Sequence, residues 1–104
     1  MNTILVVYLN KQIERLPSKR ELRSKKAYAF NTSSEVKEGD LLESPEYTNI
    51  LQVVKVLDTS YKYYNASTGE LSNSFNFTAQ KEIAVLEIRD DDADIVYASK
   101  INTI

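Results

Sequence analysis

Three aspartates at alternating positions, Asp90, Asp92 and Asp94, sit in the stretch RDDDADI. That is the spacing of the first ligands in the calcium loop of an EF-hand. The rest of such a loop is missing, because the sixth position is Ile95 rather than glycine and the twelfth is Ile101 rather than glutamate. The run therefore reads as a solvated turn and helix cap, with an acidic docking patch as the alternative. Catalysis finds little more to use. The chain has no histidine and no cysteine, which removes the commonest zinc ligands, thiolate chemistry and the usual neutral-pH base. With Gly39 and Gly69 its only glycines, it has no glycine-rich phosphate loop. Carboxylates are abundant, but none is singled out by its surroundings. The expectation is a protein that is not an enzyme and holds no cofactor or metal.

Charge is the stronger signal. Between Lys11 and Lys26 lie seven basic residues, Lys11, Arg15, Lys19, Arg20, Arg23, Lys25 and Lys26, against Glu14 and Glu21. The segment carries a net +5 in a chain whose formal net charge is −2, so the remainder carries −7. Lys19, Arg20, Arg23, Lys25 and Lys26 are candidate phosphate contacts, since each neutralised phosphate releases a counterion. An ordinary solvated face is the bland reading of the same residues. The acidic counterpart lies at Glu38, Asp40, Glu43 and Glu46, and at Asp90, Asp91, Asp92 and Asp94. Those side chains could face a basic protein surface. Tyr61, Tyr63, Tyr64, Phe75 and Phe77 add an aromatic group, able to stack bases or simply to hold a hairpin in register. Alternation turns Tyr64 away from Tyr61 and Tyr63, which makes it the candidate stacking residue.

The elements that must position these residues are mostly strands. Ile4 to Leu9 is a nearly continuous apolar run, as in a strand covered on both faces, and it is expected to be central. Nothing basic precedes it and no small-residue cleavage site follows, so it does not read as a signal segment. Ser18 and Glu21 have capping-box spacing, which predicts a short helix over about Lys19 to Lys25, an exposed strand extension being the alternative. In KAYAFNT, Tyr28 and Phe30 share one strand face. Gly39 suits a turn over Glu38 to Asp40 that leads into Leu41 and Leu42, and Pro45 ends that strand or keeps it at an edge. Ile50 to Leu57 is a β-branched strand. A hairpin with its turn near Ser67 to Glu70, centred on Gly69 in the left-handed position, would set Tyr61 opposite Phe77 and Tyr63 opposite Phe75. IAVLEIR reads as a further buried strand, and the aspartate run opens a short C-terminal helix.

A chain of 104 residues fits one domain, 1–104. Six or more short strands make it mainly β: a small barrel or strongly bent antiparallel sheet with one or two short helices. From Tyr28 to Leu57, the order of aromatic strand, EGD turn, apolar strand and valine-rich strand resembles the small β-barrel at the front of primosome-assembly helicases, and short phage-encoded barrel proteins of unassigned role. The resemblance implies a barrel and a phage or mobile-element origin. No residue here matches that family's DNA-end pocket.

These readings lead to a small cytoplasmic binding protein, with no membrane-length apolar run, that occupies a basic surface of a host nucleic-acid-handling or defence protein by mimicking nucleic acid charge. The alternatives are a nucleic-acid or nucleotide-binding barrel using Lys19, Arg20, Arg23, Lys25, Lys26 and Tyr64, and a structural assembly component. Oligomeric state is left open by the sequence.

Overall fold

A computed structural model of the chain describes residues 1–10, 15–43, 49–75 and 80–88. The order is β1 (Asn2–Leu9), α1 (Lys19–Ser24), β2 (Tyr28–Thr32), β3 (Leu41–Leu42), β4 (Ile50–Val56), β5 (Tyr63–Asn65), β6 (Leu71–Ser72) and β7 (Gln80–Glu82). Two small antiparallel sheets result, one ordered β2-β1-β4-β3 and the other β6-β5-β7. The protein is mainly β, as its strand-length apolar runs predict, but the sheets do not close into a barrel. Their strands pair within separate sheets, so among the described residues no continuous hydrogen-bonded ladder runs round the core.

β1 lies between β2 and β4 and is covered on both faces, which explains its unbroken apolar run. Alternation sends Ile4 and Val6 into a cluster with Phe30, Leu42, Leu51, Val53 and Leu86. Val7 and Leu9 turn to the opposite face, where they meet Leu41 and Ile50. A register shift opposite Leu5 and Val6 places a bulge in β4 and bends the sheet there. Gly39, at φ +91°, makes the turn that enters β3, and its N–H donates to the Val53 carbonyl at 2.8 Å.

α1 forms where the capping spacing predicts it. The Ser18 hydroxyl accepts the Glu21 N–H at 3.2 Å and donates to the Glu21 carboxylate at 3.3 Å. None of the helix residues is fully buried; Leu22, half-buried, packs against the cluster around Val7 and Leu9.

The sheets are joined by a buried polar pair. Thr3 and Asn31 are cross-strand partners in β1 and β2. The Thr3 hydroxyl donates to the Asn31 carboxamide oxygen and accepts the Tyr61 N–H at 2.7 Å, while Asn31 Nδ2 donates to the Tyr61 carbonyl at 2.9 Å. The Asn31 backbone takes up the chain after β7, accepting from Leu86 N–H and donating to the Ala84 carbonyl. Both side chains are thus satisfied despite burial.

Two strand expectations need correction. The hairpin pairs Tyr63 with Ser72 and Tyr64 with Leu71, three residues away from the Tyr63–Phe75 register. The cause is Asn65, whose side-chain oxygen accepts the Ser67 and Thr68 N–H groups and whose backbone pairs with Gly69 and Glu70. The loop therefore occupies Ala66 to Gly69 instead of centring on Gly69. Tyr63 and Phe75 still meet, edge to face at 5.4 Å, because the chain bends after β6. Phe77 lies outside the described residues. Over its described residues, 83–88, IAVLEIR is not a regular strand: Ile83 and Leu86 are buried three residues apart, and the bridge it makes there is parallel, Val85 with Asn31. Crossing from the second sheet to the edge of β2 breaks the two-residue period. Pro45 and the expected C-terminal helix fall outside the described residues.

Candidate nucleic-acid interface

α1 presents its basic side chains as a group. Lys19 and Arg23 are four residues apart and Arg20 and Arg23 three, so they are neighbours on the helix surface. Leu22 turns toward the sheet, and Lys19, Arg20, Arg23, Lys25 and Lys26 are all exposed. The one acid of the helix, Glu21, is occupied by Arg15, whose guanidinium lies 3.2 Å from its carboxylate. That hydrogen bond outweighs desolvation and holds the Glu21 carboxyl below its ordinary pKa, with the Arg15 charge and Ser18 adding smaller pulls the same way. The outward charge of α1 is therefore positive.

From the helix the chain runs into β2 and brings an aromatic surface with it. Tyr28 pairs with Val6, and Tyr8, two residues on along the same face of β1, is its diagonal neighbour. Their rings stack with centroids 4.6 Å apart and planes within 4°. The Lys26 ammonium sits 5.3 Å from the Tyr28 centroid, within cation–π range. Both rings are half-buried, packing their inner parts on the cluster around Val6. Lys26 and the two tyrosines thus lie together on the Val6 face of the sheet, while α1 packs through Leu22 on the opposite cluster around Val7 and Leu9.

The other candidates are placed less productively. Tyr64 belongs to the second sheet, opposite Leu71 and Lys81, and the ring contacted by the basic segment is Tyr28 instead. Lys62 lies 6.0 Å from the Tyr63 ring, beside the exposed Phe75, but Glu82 stands opposite Tyr63 and makes the local charge mixed. Among the acidic candidates, Glu38 is exposed, Glu43 is half-buried, and the Asp40 carboxylate accepts the Lys37 N–H at 2.9 Å, closing the turn at Gly39. Glu46, Asp90, Asp91, Asp92 and Asp94 lie outside the described residues.

Tyr8 and Tyr28 are the residues that sequence reasoning missed as a pair. Each could be assigned to a strand face, but their meeting depends on β1 and β2 being antiparallel neighbours in this register. The nearest available signal was Lys26 two residues before Tyr28, the spacing of one strand face. No helix among the described residues is long and apolar enough to cross a membrane. No protein-family model, curated protein or solved structure matches the chain.

Proposed function

We propose that this is a non-enzymatic binding protein that holds single-stranded nucleic acid along the β2 edge of the four-stranded sheet, where Lys26 meets Tyr28 and Tyr8. The observation that carries the reading is Lys26 over Tyr28, itself stacked on Tyr8, with the exposed Lys25 and the basic residues of α1 just before it in the chain. A cationic track for phosphates next to an aromatic surface for bases is how single strands are held without sequence readout. Duplex ends and loops with unstacked bases fit the same chemistry. The competing reading, in which an acidic surface occupies a basic surface of a host protein, rests on charge alone. Of its described residues, Asp40 is engaged in closing a turn.

Fluorescence anisotropy with labelled single-stranded and duplex DNA tests the assignment. Saturable binding to the single strand is expected, weakening steeply with added salt. Exchanging Tyr8 for leucine keeps an apolar side chain over the core but removes the stack, and should weaken binding about tenfold. An absence of binding even at low salt overturns the assignment and moves the search to protein partners of the acidic residues.

A further inference from the structure

The charges of the chain sort to two surfaces that cannot meet within one molecule. α1 leads into β2 at Tyr28, opposite Val6, and packs through Leu22 on the cluster around Val7 and Leu9. A groove of about 870 Å³ lies at the other end of β1 and on the other face of the sheet. Ile4, Val36 and Val56 line it from the cluster around Val6, together with residues of the loop from Ser33 to Asp40. Five residue steps of β1 separate Ile4 from Leu9, about 17 Å along the strand. The sheet itself stands between the helix and the groove.

Each surface is preformed and carries unspent charge. Lys19, Arg20 and Arg23 are exposed on α1, whose one acid is taken up by Arg15. On the groove side, Ser34 N–H donates to Thr32 Oγ1, Gly39 N–H to the Val53 carbonyl and Lys37 N–H to the Asp40 carboxylate, which fixes the loop without using Glu35 or Glu38. Both glutamates are exposed, and among the described residues neither has an ion-pair partner; nor have Lys19, Arg20 and Arg23. Around the groove and its turn, three carboxylates stand against Lys37 and the Met1 amino group.

Apolar lining beneath an acidic rim suits one kind of side chain, an arginine or lysine. Its methylene stem lies on apolar surface while its head meets a carboxylate. We propose that the groove receives α1 of a second copy of this chain, so that copies associate head to tail through opposite charge. The two surfaces lie at opposite ends and on opposite faces, so the contact is heterologous. Each added copy leaves one helix and one groove open, and the assembly grows instead of closing as a dimer. Salt weakens it, because the charges are exposed. The inference stands apart from the nucleic-acid reading, which is centred on Lys26, Tyr28 and Tyr8.

Sedimentation equilibrium of the nuclease-treated full chain, at low and at moderate salt, is the test. At low salt the average mass should rise with protein concentration past that of a dimer, and added salt should return it to 11.9 kDa. Two variants break the contact from either side: Glu35→Gln with Glu38→Gln neutralises the rim, and Lys19→Gln with Arg20→Gln neutralises the helix, all at exposed positions. Each alone should associate about tenfold more weakly. When they are mixed, the intact helix of the first fits the intact groove of the second, and growth should stop at a one-to-one dimer. Circular dichroism checks that both are folded; should the helix variant not be, Arg20→Gln alone replaces it. A monomer at every concentration in low salt overturns the proposal. So does a parent that closes as a dimer, or association that either folded variant leaves unchanged.

Discussion

The two sheets are built to different standards. In the four-stranded sheet, β1 and β4 each bury most of their residues, and Ile4, Val6, Ile50 and Leu51 have no exposed surface at all. No residue of β5, β6 or β7 is fully buried. A two-faced core gives β1 and β4 their stability through area removed from water. The second sheet has little such area, and short strands without a core are marginal by themselves. It is held instead by local turn hydrogen bonds at Asn65 and by its attachments to Thr3 and Asn31. The lesson is that one half of this small protein folds on packing and the other on a few well-placed polar contacts.

Paired truncations sharpen the contrast most. Leu51→Ala opens a cavity at a position with no exposed surface and should cost about 2–5 kcal/mol, a large share of the stability of a domain this size. Leu71→Ala, half-buried in β6, should cost well under that, about 1 kcal/mol. Urea unfolding of both variants checks the difference; equal losses would erase the distinction between the sheets.

A smaller effect with a sharper signature is expected at Asn31. Alanine there leaves the Thr3 hydroxyl without its acceptor and the Tyr61 carbonyl without its donor, at a cost of about 1–3 kcal/mol. The loss should not be uniform. Hydrogen exchange should speed at Tyr61, Ile83 and the β5 amides while β1 and β4 keep their protection, because the Asn31 side chain joins the sheets without filling the core. Uniform acceleration would mean that the two sheets unfold as one unit.

Much of the first sheet was legible because its signals are local or periodic. The apolar run of β1, the Ser18 to Glu21 spacing and the glycine before β3 each specify their structure within a few residues. The hairpin register was not, since a carboxamide at Asn65 outweighed the aromatic pairing of Tyr63 with Phe75 that alternation alone predicts. The Thr3 and Asn31 pair was invisible for another reason: two ordinary polar residues 28 positions apart acquire meaning only once β1 and β2 are side by side. The basic half of the candidate interface could be read from composition. Its aromatic half, Tyr8 with Tyr28, is a product of the same strand pairing.

The smallest expected effect lies at the helix that precedes the binding edge of the stable sheet, and it is set by pH. The Glu21 carboxyl titrates below its ordinary value in the folded chain, chiefly because Arg15 donates to it. A carboxylate with a lowered folded pKa stabilises the fold above its unfolded pKa, and that contribution disappears as pH falls through the folded value. α1 should therefore fray in acid, below the ordinary glutamate range, while β1 and β4, held by apolar packing, persist. Circular dichroism and amide exchange at Leu22 report the fraying, and Glu21→Gln should show it already at neutral pH and flatten the acid response. If α1 in the Gln variant keeps the acid transition of the parent, Glu21 is not the titrating group and the Arg15 contact does not help to hold the basic helix in place.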